Sequence, residues 1–164
     1  MTEASEFNFG LLRAHDEQLG RLNMTTSMGL NEEKGCYDDL YNLGGRSFSI
    51  FTADGKRVFD SGADFEEITA KLLPEYFNTN HTENEFESRS DDKGPEPEGV
   101  TVGEINGRTY AFIGFERLGG VMVYDITDPE HPAYQAYINN RDFSVNMEEL
   151  TENGDDALKD GLSK

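Results

Sequence analysis

Alternation of apolar and polar residues first becomes regular at residues 46–52 (RSFSIFT), where it predicts a β-strand. Phe48 and Ile50 fall on one face of this strand, and the serines beside them fall on the other. The pair Asp54–Gly55 is a strong signal for a two-residue turn, and residues 57–60 (RVFD) supply the returning strand. The pattern therefore predicts a β-hairpin.

A short amphipathic helix is predicted directly after the hairpin. Asp64 is its predicted N-cap, and Glu67, three residues later, completes a capping box. Pro74 ends the helix, because proline cannot continue it. The predicted apolar face has the spacing i, i+3 and i+7 and consists of Phe65, Ile68 and Leu72.

Four short strands are predicted in the second half of the chain. They cover residues 99–105, 108–115, 121–126 and 133–138, and the middle two are apolar on both faces. Asn106–Gly107, between the first two strands, is the strongest hairpin signal in the sequence. Four antiparallel strands in roughly 40 residues are typical of one blade of a β-propeller. A β-sandwich gives a similar local pattern.

The predicted fold class is therefore mainly β, with antiparallel four-stranded blades of an incomplete β-propeller and one short helix. The chain divides into four parts. These are an N-terminal blade remnant with an acidic loop (1–45), a hairpin, short helix and long acidic loop (46–98), a complete four-stranded blade (99–143), and an acidic linker (144–164).

The acidic composition narrows the classes of partner. The chain has 33 Asp and Glu residues against 14 Lys and Arg residues, which gives a formal net charge of -19. Such a charge repels the phosphates of nucleic acids and anionic membrane surfaces, so neither is an expected partner. The charge suits cation binding, and it equally suits a solvated surface that maintains solubility.

Export and membrane signals are missing from the sequence. Cys36 is the only cysteine, so no internal disulfide can form. No run of 18 apolar residues exists, and no membrane span is predicted. Residues 1–10 (MTEASEFNFG) are acidic and polar, unlike a signal peptide. For an exported protein, the signal is expected upstream of this segment.

Several motifs together resemble a known family. They are GGRSFSIF at 44–51, VFDSGADFEEITA at 58–70, SDDKGPEPEGVTVG at 90–103, GRTYAFIGFERLGGVMVYDITDPEHPAY at 107–134 and NNRDF at 139–143. Across residues 18–143 the chain resembles the choice-of-anchor I type proteins of bacteria. These are large secreted propellers related to atypical alkaline phosphatases and to mesenchyme-specific cell-surface glycoproteins linked with biomineralisation. The resemblance implies a partial segment of a secreted, periplasmic or cell-surface propeller, whose remaining blades are its partners.

The acidic loop Arg89–Gly99 is the candidate site. Carboxylates are hard oxygen ligands of the kind that calcium prefers, and Pro95 and Pro97 stiffen the backbone between them. In a propeller, the position of Glu98 directly before the first strand of the blade faces the central channel. The predicted metal ligands are Asp91, Asp92, Glu96 and Glu98, and the predicted phosphate-binding residues are Arg89 and Lys93. The alternative is a solvated loop whose carboxylates point at water, and Glu116–Arg117 is predicted to be an exposed ion pair.

Three functions follow as hypotheses. The first is a segment of an exported calcium-binding propeller related to alkaline phosphatases, in which only the full-length parent hydrolyses phosphomonoesters. There the metal would activate water, and the basic side chains would steady the transferring phosphoryl group. The second is a non-catalytic cell-surface or matrix propeller that binds calcium or a protein partner. The third is a free-standing small β domain.

Overall fold

Four antiparallel strands form the central sheet of the computed structural model, which describes residues 21–152. The strands follow the chain in a simple meander, with the spatial order β10-β9-β8-β7. Their bounds are Pro97–Ile105 (β7), Arg108–Phe115 (β8), Val121–Asp125 (β9) and Ala133–Ile138 (β10). This confirms the predicted mainly-β class and the four-stranded unit.

The turn between β7 and β8 has the predicted chemistry. Asn106 and Gly107 both have positive φ, at 52° and 75°, as a type I′ hairpin turn requires. At its other end β7 begins two residues earlier than predicted. Pro97 pairs with Phe115, and a bulge at Glu98 follows before regular pairing resumes at Gly99. Part of the predicted acidic loop therefore belongs to the sheet.

Among residues 21–96, six shorter strands precede the sheet. They are Met24–Thr25 (β1), Leu30–Asn31 (β2), Cys36–Tyr37 (β3), Tyr41–Asn42 (β4), Ser49–Phe51 (β5) and Arg57–Asp60 (β6). They pair as β1–β4, β2–β3 and β5–β6. Residues 31–39, which lie in the part predicted as a blade remnant with an acidic loop (1–45), thus contain β3 and the turn of the small hairpin β2–β3.

The hairpin β5–β6 is confirmed, although its turn is longer than predicted. The amide of Gly55 donates to the Thr52 carbonyl at 2.9 Å, and the amide of Thr52 donates to the Lys56 carbonyl at 2.8 Å. Only Gly55 has a positive φ, of 85°. A two-residue type I′ turn would need a positive φ at Asp54 as well as at Gly55. Three residues form the loop instead.

The first helix, α1, spans Asp64–Leu72, and a 3₁₀ turn over Pro74–Tyr76 follows it. The predicted capping box is wrong, because Ala63 is the N-cap and no side chain caps it. Asp64 instead accepts a hydrogen bond of 3.0 Å from the Tyr124 hydroxyl, which ties the helix to the sheet. Leu72 is 52% exposed, and Thr69 takes the predicted buried place on the helix face.

A second helix, α2, spans Met147–Glu152, within residues 144–164 that the sequence predicts to be an acidic linker. The Asn146 side chain accepts hydrogen bonds from the amides of Glu148 and Glu149 and so caps the helix. The rest of the predicted linker and the first part of the blade remnant, residues 153–164 and 1–20, lie outside the described residues.

The core lies between one face of the sheet and the elements α1 and β5–β6. The aromatic ring of Phe65 is fully buried and packs 4.9 Å from Phe115 and 5.9 Å from Phe48, measured between ring centroids. Phe48 also lies 5.0 Å from Tyr124. The sheet side of this core consists of Ala111, Ile113, Phe115, Met122 and Tyr124.

The opposite face of the sheet is also apolar, but no described element covers it. Val121 and Ile138, paired across β9 and β10, are 37% and 65% exposed. Phe112 and Val123 lie beside them on the same face and are half-buried. Within residues 21–152, no helix is long and apolar enough to cross a membrane.

Phe65→Ala tests the aromatic core. Removing a fully buried ring leaves a cavity between helix and sheet, so we expect the free energy of unfolding to fall by about 3–5 kcal/mol. Urea denaturation followed by circular dichroism measures the change. Phe51→Ala, at an exposed position of β5, is the matched control and should change stability by less than about 1 kcal/mol. Equal losses for the two variants would contradict this description of the core.

Candidate functional site

The segment between the 3₁₀ turn and β7 is anchored to the protein, although it has almost no apolar residues. Asn78, Thr79, Pro95 and Glu96 are all buried. Asn78 and Glu96 also adopt positive φ, at 48° and 53°, which few residues other than glycine do. The alternative that the carboxylates of the loop Arg89–Gly99 all point at water is therefore wrong for Glu96.

The carboxylate of Glu96 is the centre of the candidate site. Its side chain is only 6% exposed. Three cationic groups contact it: Arg89 Nη2 at 2.5 Å, Lys93 Nζ at 2.7 Å and Arg117 Nε at 3.2 Å. Arg89 also contacts Asp92 Oδ2 at 2.5 Å. The buried negative charge is thus neutralised from both the loop and the sheet.

These contacts decide the protonation of the buried carboxylate. Burial alone raises the pKa of Glu96, because it removes water from the charged form. Hydrogen bonds from Lys93 and Arg89, together with the charge of Arg117, outweigh burial and lower the pKa to about 2. The bond to Glu96 raises the pKa of Lys93 in turn. Glu96 is therefore ionised at neutral pH.

The backbone of Glu96 is held as firmly as its side chain. The amide of Glu116 donates to the Glu96 carbonyl at 2.9 Å, and the amide of Arg117 donates to the Pro95 carbonyl at 3.4 Å. Both donors follow directly after β8, so the loop continues the pairing of the sheet. Arg117 consequently reaches Glu96 from a fixed position.

Two further arginines fasten the segment between the 3₁₀ turn and β7 from outside. Arg46, before β5, donates to the backbone carbonyls of Ser90 and Asp92 at 2.8 and 3.0 Å and to Glu66 Oε1 at 2.7 Å. Asn78 donates to the same Glu66 oxygen at 2.7 Å.

The second arginine, Arg141, follows β10. It donates to the carbonyls of Arg117 and Glu83 and to Asn84 Oδ1, at 3.0, 3.2 and 2.7 Å. Its guanidinium also lies 4.8 Å from the centre of the Phe143 ring. This side chain thereby joins residues 83–84 of that segment to the ends of β8 and β10.

The structure brings four of the six predicted site residues together. Arg89, Asp92, Lys93 and Glu96 form one ion-pair cluster, in which the predicted phosphate-binding residues contact the predicted metal ligands. Glu98 is exposed on β7 and lines a shallow cavity of about 170 Å³ beside the cluster. Asp91 is half-buried, and its backbone carbonyl accepts the Asn23 amide at 2.8 Å.

Nothing in these contacts builds a metal centre. In the part of the chain that the structure describes, no three His, Cys, Asp or Glu side chains are grouped so that they could hold a metal ion. Calcium binding by Asp91, Asp92, Glu96 and Glu98 stays a prediction.

Sequence reasoning missed the arginines that supply most of the loop's contacts. Arg117 does pair with Glu116, at 3.2 Å, but its side chain is only 20% exposed and its second contact is the buried Glu96. The nearest signal in the sequence is its composition. In this strongly acidic chain, single arginines stand at the start of the predicted hairpin and just after predicted strands.

Comparison with known proteins gives one family and two relatives. The model of the Choice-of-anchor I domain family matches residues 4–129. Gigasin-3a of Magallana gigas is 39% identical over 117 residues, a match that covers 67% of this chain and 40% of the relative. The mesenchyme-specific cell surface glycoprotein of Strongylocentrotus purpuratus is 25% identical over 160 residues, covering 88% and 20%.

The chain thus spans less than half the length of either relative. No solved structure matches it.

Glu96→Gln tests the ion-pair cluster. The folded pKa lies below the unfolded value of 4.5, so the charge of Glu96 stabilises the fold above that pH. The stabilisation disappears as the pH falls from about 4.5 to about 2. We expect the variant to lose about 3 kcal/mol at pH 7 and to match the wild type near pH 2, measured by urea denaturation across pH.

Glu98→Gln is the control for this test, because Glu98 is exposed and lies two residues away. It should leave both the stability and its pH dependence nearly unchanged. A loss for Glu96→Gln that stays constant from pH 7 to pH 2 would show that its charge is not the stabilising feature.

Proposed function

The chain belongs to the choice-of-anchor I domain family, and on that premise we propose that it is a non-catalytic, blade-forming segment of an extracellular or cell-surface protein. Its role in this proposal is to dock its sheet against further sheets of the same longer protein, as successive blades of a propeller pack face to face. The observation that carries the proposal is the apolar sheet face that no described element covers.

The uncovered face has the composition of an interior surface. The apolar residues on it are Tyr110, Phe112, Val121, Val123 and Ile138. The charged strand residues on the same face are Arg108 and Asp125, and both lie at its rim. Burying a side chain such as Ile138 against another sheet contributes about 1.5–3 kcal/mol. Soluble proteins rarely leave such a surface in water unless it binds something.

The names and lengths of the relatives support the extracellular setting and the larger assembly. One relative is named a cell surface glycoprotein, and this chain covers only 20% of it. The remainder of such a protein is long enough to supply several more sheets of this size. We therefore assign the neighbouring sheets as the first partners of this chain.

The narrower hypothesis of a calcium-dependent phosphatase has less support from the site. Its phosphate-binding residues, Arg89 and Lys93, already contact Glu96, so a phosphate ester would have to displace an internal carboxylate. Displacement would leave that buried charge without its partners, which is unfavourable. We keep calcium binding and hydrolysis as predictions for a longer protein.

The double variant Val121→Thr/Ile138→Thr tests the docking face. Threonine keeps the β-propensity of both positions and removes the apolar side chains. We expect the wild-type chain to enhance the fluorescence of an apolar dye, and to self-associate as its concentration rises in high salt, which screens its net charge of -19. The variant should lose most of both signals while its urea midpoint stays the same.

Leu72→Gln is the matched control, since Leu72 is an equally exposed apolar residue on α1, away from the sheet. It should behave like the wild type in dye binding and in sedimentation velocity. If the sheet variant also behaves like the wild type, the uncovered face is not a docking surface.

Two measurements test the calcium and phosphatase hypotheses. The calcium prediction expects Glu96→Gln/Glu98→Gln to weaken calcium binding by the full-length parent protein in isothermal titration calorimetry, and an unchanged affinity would remove both residues from the site. The proposed non-catalytic role expects no phosphomonoester turnover by the full-length parent protein, with or without calcium. Calcium-dependent turnover that Arg89→Gln abolishes would favour the phosphatase instead.

A further inference from the structure

The outer edge of β7 is a second exposed feature of the sheet, separate from its uncovered face. β7 is nine residues long and lies at the end of the strand order, so β8 is its one strand partner among residues 21–152. An unpaired edge presents a row of backbone N–H and C=O groups that can pair with another chain. We propose that this edge binds an extended, basic segment of a partner protein as a fifth strand.

The valines of β7 extend rows of apolar side chains that begin in the core. Val100 pairs with the buried Ile113, and Val102 pairs with the buried Ala111, so both valines lie on the core side of the sheet. Yet they are 67% and 58% exposed, because α1 and the hairpin do not reach over β7. An added strand with apolar side chains opposite them would extend each row by one residue.

Two glycines leave the backbone of the edge accessible. A side chain at Gly99 would meet nothing within 4 Å, and one at Gly103 would meet only the Phe112 ring, at 3.7 Å. Pro97 and the bulge at Glu98 protect the first residues of the strand, as is usual at sheet edges. Beyond the bulge, the regular pairing from Gly99 to Ile105 has no such protection.

Charge selects the kind of segment that fits. Glu98 and Glu104 are the charged residues of β7; both are exposed, and they flank the two valines. The whole chain has a net charge of -19, which adds a long-range attraction for a cationic partner. A segment with lysine or arginine opposite the two glutamates would gain two cross-strand ion pairs.

A second copy of this chain is a poorer occupant of the same edge. Antiparallel self-pairing centred on Thr101 would match Val100 with Val102, but it would also place Glu98 opposite Glu104 twice. Like charges directly opposite each other destabilise a strand pair. The acidic flanks therefore oppose self-pairing and favour a basic segment.

A designed strand provides the probe for this edge. In the capped peptide TKTVTVTKT, bound antiparallel with its central threonine opposite Thr101, the valines face Val100 and Val102, one lysine faces Glu104, and the other lysine lies next to the bulge at Glu98. We expect it to bind the full chain in fluorescence anisotropy and to protect the amides of β7 from hydrogen exchange. The acidic peptide TETVTVTET should bind about tenfold more weakly, and TKTVPVTKT, whose proline removes a backbone donor, should not bind.

Variants of the chain separate strand addition from general charge attraction. Glu98→Gln/Glu104→Gln should weaken the lysine peptide several-fold. The matched control Glu75→Gln/Glu130→Gln removes the same charge from exposed positions outside β7 and should leave the affinity nearly unchanged. Equal losses for the two double variants, equal binding of the proline peptide, or no binding of the lysine peptide would each overturn the proposal.

Binding of the lysine peptide to β7 does not depend on the proposed docking face, because Val121 and Ile138 lie on the opposite side of the sheet, on β9 and β10. Their threonine variant should bind the lysine peptide like the wild type. The threonine variant and the peptide titration therefore test the docking face and the β7 edge independently.

Discussion

The buried carboxylate of Glu96 is the group on which the surrounding structure depends. A carboxylate removed from water is stable only where cations or hydrogen-bond donors replace its lost solvation. Arg89, Lys93 and Arg117 supply that replacement, and they approach from the loop and from the end of β8. Because they hold one point from two directions, they fix both the path of the loop and the place where β7 begins.

The same requirement explains why the predicted calcium and phosphate ligands lie in a single cluster. Carboxylate oxygens that suit calcium also suit guanidinium and ammonium groups, and here the basic side chains are part of the same loop. With only 14 basic residues against 33 acidic ones, the chain places Arg46, Arg89 and Arg117 in contact with this loop. Arg141 holds residues 83–84, which precede it. Their hydrogen bonds replace the apolar packing that the loop lacks.

Local patterns were enough to predict the sheet but not the contacts around it. Alternation and the Asn106–Gly107 turn act between neighbouring residues, so β7–β10 could be predicted from the sequence. Arg46 meets Asp92 across 46 residues, a distance over which no local pattern operates. The Asp64 cap failed for a related reason: a distant hydroxyl, that of Tyr124, binds its carboxylate.

Net charge and uncovered apolar surface have complementary effects in this chain. A sheet that is apolar on both faces, with α1 and the hairpin covering only one, would by itself favour association between identical molecules. A charge of -19 on each molecule opposes that association through mutual repulsion. A neighbouring sheet that is joined covalently can dock in spite of this repulsion, because the entropy cost of association is already reduced. For a basic segment the repulsion becomes an attraction. The acidic composition therefore selects among partners as well as maintaining solubility.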